Sequence, residues 1–440
     1  MLAANLKIIE ELKLFVVLIN QQPEVLEKLS TLPKSFTRIR KLPFDRLVLL
    51  IAKLCKKTLS VEIEKFFEEL AVPLPCSVSA FTQQRMKLEA IFFDLWNQLL
   101  VACYYQYYGE EVKRWKGYRI IAADGSNISL INTPALYTYF GGQSNQNSSF
   151  VQAKTFYCYD VLNELLLFAQ IQPYRYGELP MAYDNMQQLE SDMLMIYDRN
   201  FCNYKMVALH QWQEKEIKFI IRGNENQLLI RKFIARGATS EIVEMLPQIT
   251  AIKGVEKSGY RIDKNTALKV RLVRVNLEKS VEVLVTNLWE EEGHSTAEFK
   301  ALYFKRWSIE TNIALQKNIL QLESFSGLTV LSVKQDFYAT VFIANLHSIL
   351  IKDAQATVDR KAVTRKHPAK INRNKSHGKL RSHLVELFTC QEPEEILKLL
   401  HGYFIRNPTP VRQGRTFTRT IKNKQSKSKH KTFMNYKPAF

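Results

Sequence analysis

The run Met193-Leu194-Met195-Ile196-Tyr197-Asp198 constrains the fold more than any other stretch. It is apolar at every position before its last. Such a run suits a strand buried on both faces, which needs helices above and below it. Residues 119–124 have the same texture: Ile120, Ile121, Ala122 and Ala123 lead to Asp124, then Gly125-Ser126. Further strands are expected over about 151–160, 165–172, 217–221 and 281–286, with a helix over about 179–190 among them. Strands interleaved with helices predict an α/β layer. Two carboxylates at strand ends lie where such sheets place their chemistry. Taken singly, Asp124 and Asp198 fit a turn or a helix cap equally well.

The rest of the chain divides around this layer. Residues 1–112 read as an all-helical N-terminal domain. Within it, Pro73 and Pro75 end one helix, and Ser77-Val78-Ser79 offers caps for the next, which carries Gln83, Gln84, Arg85 and Lys87. Amides and bases near a helix start suit a helix-turn-helix DNA reader; a plain helical bundle with a polar face fits the same residues. Residues 113–222 and 281–358 form the two parts of the α/β core. Residues 223–280 between them read as a β-rich insertion, because Lys269, Arg271 and Arg274 alternate with apolar residues and so predict one core face and one positive face. Residues 359–440 form a basic C-terminal region. In it, 360–381 read as a linker, Pro393 opens a helix, and a tail from Arg406 carries Arg412, Arg415 and Arg419 among small polar residues. Such a tail suits contact with DNA phosphates.

Residues 303–317 contain no Gly or Pro and show helical periodicity. At about 100° per residue, Arg306, Glu310 and Lys317 fall at roughly −60°, −20° and −40° from Tyr303. One acid, two bases and a phenol therefore share a narrow arc. On its own, such an arc is a solvated face with an Arg–Glu pair.

The formal charge of the chain is +19, from 62 Lys and Arg against 43 Asp and Glu. That balance calls for a polyanionic partner. No apolar run has the length to span a bilayer, which favours nucleic acid over membrane. Six scattered Cys without a CxxC pair, and His residues that do not cluster, give neither a disulfide frame nor a zinc site. Any metal must then be held by oxygen. Asp124, Asp198 and Glu310 are hard ligands of the kind that suits Mg²⁺ or Mn²⁺, and paired ions of that type act on phosphodiesters.

The spacing of Tyr303, Arg306, Glu310 and Lys317, with the Asp124-Gly125-Ser126 and Tyr197-Asp198-Arg199 blocks before it and Val285-Thr286-Asn287-Leu288 just upstream, resembles the signature of IS4-type DDE transposases, a bacterial insertion-sequence family. The resemblance runs over roughly residues 36–350. It implies an RNase H-like catalytic core with a β-strand insertion between the second Asp and the Glu. It implies cut-and-paste transposition of DNA, with Asp124, Asp198 and Glu310 as catalytic and metal-binding residues holding two Mg²⁺ ions, for which Mn²⁺ can substitute. Tyr303, Arg306 and Lys317 would be DNA-binding. The implied partners are the double-stranded terminal repeats and the target DNA, with a homodimer assembled on DNA in the bacterial cytoplasm at the nucleoid. Several family members form a hairpin intermediate held by an aromatic residue of the insertion. No Trp lies within 223–280 here, and the nearest, Trp289, suits a core or rim position. A catalytically inactive protein that binds element ends is the alternative reading.

Overall fold

A computed structural model describes residues 2–38, 40–54, 56–145, 148–278, 280–363 and 366–412. In chain order, six helices come first: α1 (Leu2–Gln21), α2 (Pro23–Lys28), α3 (Phe44–Ala52), α4 (Leu59–Glu69), α5 (Val78–Arg85) and α6 (Ile91–Tyr108). Then follow β1 (Arg119–Ser129), α7 (Pro134–Phe140), β2 (Gly142–Asn145), β3 (Ser148–Asp160), β4 (Leu165–Pro173), α8 (Glu178–Asp184), β5 (Met193–Tyr197), α9 (Tyr204–Gln211) and β6 (Lys218–Arg222). The chain continues through α10 (Leu228–Arg236), β7 (Ser240–Met245), α11 (Ile249–Glu256), β8 (Leu268–Asn276), β9 (Val281–Thr286), α12 (Phe299–Phe304) and α13 (Trp307–Asn318). It closes with α14 (Val330–Ala362), β10 (Ala369–Ile371), α15 (Arg373–Thr389), α16 (Pro393–Arg406) and β11 (Pro408–Pro410). Two compact units result: one of residues 1–111, 129–151 and 315–440, the other of residues 112–128 and 152–314.

The second unit is built on a mixed sheet in which β3, β1, β5, β6, β9, β8 and β7 lie side by side, with β4 also paired to β3. β1, β5 and β6 run parallel, and β9 turns the direction by pairing antiparallel to β6. Residues 120–123, 194–196 and 219–221 are fully buried, which is why these runs carry no polar alternation. The sheet is the α/β layer anticipated from the acid-ended apolar runs.

The insertion departs in part from its expected character. It carries the helices α10 and α11 as well as two strands, and those strands extend the main sheet. The positive face predicted from residues 269–274 does not form. Arg271 is buried, and its guanidinium donates to the carbonyl oxygens of Leu288 and His294, while Arg274 donates to those of Ala238 and Ile234. Loop carbonyls needing donors have drawn these bases inward.

In the first unit, Trp96 of α6 stacks on Phe342 of α14 at 4.0 Å and meets Phe388 of α15 at 5.3 Å. This helical core corrects one expectation and limits another. The stretch 360–381 is not a linker, because α14 runs to Ala362 and α15 begins at Arg373, burying Leu380, Leu384 and Leu387. The polar face of α5 is enclosed at two of its four positions, while Gln83 is exposed and Lys87 half-buried. Gln84 and Arg85 are buried, and Arg85 donates to Asp336, Gln335 and Ser326. Pro393 does open α16, at a position where its missing N–H costs nothing. Arg412 is exposed, while Arg415 and Arg419 of the basic tail lie outside the described residues. Among the described residues no helix is long and apolar enough to cross a membrane.

Candidate active site

β1 pairs with β5 from Arg119↔Met193 to Ala123↔Tyr197. Asp124 and Asp198 are the next residue on each side. β1 does not end at Asp124, as its sequence suggests, but continues to Ser129 after leaving β5. Asp124 Oδ1 accepts the N–H of Gly125 at 2.8 Å. Asp198 caps a short turn, its Oδ1 accepting the N–H of Asn200 at 2.8 Å. The capping role open to Asp198 in the sequence is thus real, and it engages one oxygen.

The predicted single helix over 303–317 is broken. α12 ends at Phe304 and α13 starts at Trp307, with i→i+3 bonds from Arg306 to Tyr303 and from Ser308 to Lys305 across the join. The tighter turns there shift the even arc assumed for an ideal helix. Arg306 at the join is 7% exposed. Its guanidinium reaches Glu310 Oε1 at 2.8 Å and Asp124 Oδ2 at 3.4 Å. Tyr303, Arg306, Glu310, Asp124 and Asp198 therefore meet at one end of the sheet, whereas Lys317 lies in the last turn of α13, two turns beyond Glu310.

The electrostatics bind these groups together. Burial pushes the Asp124 carboxyl up to about 6; Arg306 and the Gly125 N–H oppose the rise, and the charges of Asp198 and Glu310 add to it. Burial likewise pushes the Tyr303 hydroxyl up to about 12, against Arg306 and Arg222, so it remains a hydrogen-bond donor near neutral pH.

Among the described residues no group of three or more His, Cys, Asp and Glu side chains is placed to hold a metal ion. The chemistry of the donors nevertheless suits a hard divalent cation. All three are carboxylates, and the upward push that Asp198 and Glu310 exert on Asp124 is the repulsion that a cation relieves. Arg306 is the positive charge that now lies between Asp124 and Glu310.

Several neighbours escaped the sequence reading. Glu178, the first residue of α8, lies against Gly125, accepts from Asn200 and pairs with Lys154 of β3. In sequence it is an ordinary acid at a helix start, and nothing there ties it to Asp124. Trp307, the first residue of α13, is 45% exposed with the Arg306 guanidinium 5.1 Å from its ring centre.

The family described as Transposase DDE domain matches residues 115–346, more than half of the chain. No curated protein matches. Among solved structures, a cryo-EM piggyBac transposase synaptic complex with hairpin DNA is similar at 10% identity and a TM-score of 0.41, covering 100% of this chain and 91% of that one. The family match takes in both acid-bearing strands and the helix of Glu310, and this chain belongs to the DDE transposase family.

Proposed function

We propose that the chain is an active cut-and-paste transposase of the IS4 type. In this reading it cleaves DNA at the ends of an insertion sequence and joins the freed 3′-hydroxyl to target DNA. One observation carries the proposal: Arg306 links Asp124 to Glu310, while the β1–β5 register sets Asp198 beside Asp124, so three acids far apart in sequence share one place.

Divalent metal ions are general to DDE transposases. Asp124, Asp198 and Glu310 would hold magnesium, with manganese able to replace it. When bound, such ions activate the attacking oxygen and stabilise the leaving one. The chain's own groups prepare the site. Asp124 must lose its proton to serve, which its value of about 6 allows at neutral pH. Arg306 carries a planar fork that matches phosphate oxygens, Tyr303 keeps its proton to donate, and Lys317 adds a point charge further along α13. The exposed ring of Trp307 offers a stacking face at the same place. The substrates would be double-stranded terminal repeats and target DNA, and a homodimer on DNA would bring two ends together. A bacterial nucleoid is the setting this reading implies.

An inactive DNA-binding protein has one feature on its side: the Arg306 bridge already pairs two of the acids. Incubating the full chain with Mg²⁺ and DNA carrying its element ends separates the readings. Release of a 3′-hydroxyl followed by joining supports the transposase. Binding without cleavage overturns it in favour of the inactive protein, and cleavage without joining reduces it to a nuclease.

A further inference from the structure

Glu178 opens α8 directly after Gly177, whose φ of +86° turns the chain out of the β4 hairpin. Its carboxyl lies against the backbone of Gly125. A Cβ placed on Gly125 would fall 2.6 Å from Glu178 Oε1 and closer still to its Cγ, so only glycine admits this approach. Both carboxyl oxygens are engaged. Lys154 Nζ reaches Oε1 at 3.2 Å, and Asn200 Nδ2 donates to Oε2 at 3.1 Å. The Lys154 and Glu178 side chains are only 15% and 22% exposed.

Two of the three residues that Glu178 touches, Gly125 and Asn200, are the ones that orient the acid pair. The N–H of Gly125 holds Asp124 Oδ1, and the N–H of Asn200 holds Asp198 Oδ1, each at 2.8 Å. One side chain thus fills the space over the first turn and ties down the second. Two carboxylates on adjacent strands repel each other, and nothing in the β1–β5 ladder restrains them once it has ended at Ala123↔Tyr197.

We propose that Glu178 is a positioning residue, a clasp that sets the separation of Asp124 and Asp198 at which the site takes a divalent cation. The inference rests on the metal-binding reading of these acids given above. Lys154 has a distinct part in it. By neutralising Glu178 it keeps a further negative charge from adding to the repulsion at Asp124, and by engaging Oε1 it keeps Glu178 out of the ligand set. The clasp works through shape and hydrogen bonding, so an uncharged isostere should serve.

The test is Mn²⁺ binding to the full chain without DNA, followed by the spin resonance of the free ion, with thermal melting alongside. Glu178→Ala should weaken binding about tenfold or more, the size seen when groups behind metal ligands are lost. Glu178→Gln retains the shape and an acceptor for Asn200, and should restore affinity to within about threefold of wild type. Asn200→Ala, at an exposed position that tolerates change, should weaken binding without lowering the melting temperature. Wild-type affinity in the Glu178→Ala protein would overturn the proposal, whatever Asn200→Ala does. So would a Glu178→Gln protein as weak as Glu178→Ala, since that makes the carboxylate a ligand. Asp124→Asn separates the two levels. If wild type binds no Mn²⁺ better than Asp124→Asn does, the metal reading itself fails and the clasp falls with it. If Asp124→Asn loses binding while Glu178→Ala does not, the clasp alone is wrong.

Discussion

Asp124 and Asp198 each stand one residue past the last rung that joins β1 to β5, Ala123↔Tyr197. Neighbouring strands lie about 4.8 Å apart, so the ladder delivers two carboxylates side by side at the point where its own restraint stops. The charge of Asp198 adds to the rise of the Asp124 carboxyl, behind burial as the larger cause. Asp198→Asn should therefore lower the Asp124 value from about 6 toward the ordinary carboxylate range without restoring it fully, because burial remains. Carbon-detected titration of the side chain reads this directly. An unchanged or higher value would mean that the two acids do not sense each other.

The raised value at Asp124 also ties metal-free stability to pH. A carboxyl whose folded value of about 6 exceeds its unfolded value of 3.8 favours the fold while protonated. That contribution is complete below the unfolded value and is lost as pH rises through the folded one. Ionising Asp124 in the folded chain then costs up to about 3 kcal/mol, at 1.36 kcal/mol per unit. Asp124→Asn removes the ionisation. With a chelator present it should be more stable than wild type at pH 8, by up to about 3 kcal/mol, and the gain should shrink as pH falls through 6. Urea denaturation across that range checks the sign. A variant that is destabilised at pH 8 would contradict the desolvation argument.

Glu310 Oε1 accepts from Arg306 at 2.8 Å. Glu310→Gln preserves an acceptor oxygen for that bond while removing the charge that the proposed metal site would use. Cleavage should fall by at least about a hundredfold, while binding to DNA ends, which rests on cationic side chains, should hold. Strand cleavage on end-labelled DNA and a gel-shift titration make the comparison. Retained cleavage would take Glu310 out of the reaction.

The parts of this site that were legible in the sequence are those written as local patterns. A doubly buried strand must be apolar throughout, so an acid at its end stands out, and both aspartates were visible for that reason. The Arg306–Glu310 pair was visible because four residues make a helical turn. What stayed hidden depends on approach in three dimensions. Glu178 meets Gly125 across 53 positions of chain only because the β3–β4 hairpin folds back. The break between α12 and α13 has no Gly or Pro to announce it. Arg85 and Arg271 read as surface bases, because sequence shows a charge but not the buried carboxylate or carbonyls that claim it.

Arg85 shows what such a claim is worth. It is 1% exposed, donates to Asp336 Oδ1 at 2.9 Å, and spends its other N–H groups on Gln335, Ser326 and the carbonyl of Ser332. Burial pushes the Asp336 carboxyl up, but Arg85, Lys56 and the Ser326 donors together hold it below the usual range. A folded value below the unfolded one stabilises the fold above the unfolded value, and this is lost as pH falls through the folded value. Arg85→Ala leaves Asp336 buried without its partner and should cost about 3–5 kcal/mol at pH 7. The double change Arg85→Met with Asp336→Leu removes both charges and fills the space, so it should cost much less than the single one. Measured by urea denaturation, the single variant's loss should also narrow as pH falls and Asp336 gains a proton. Equal losses in the single and double variants would show that packing of the guanidinium, and not the stranded carboxylate, sets the cost at this junction of α5 and α14.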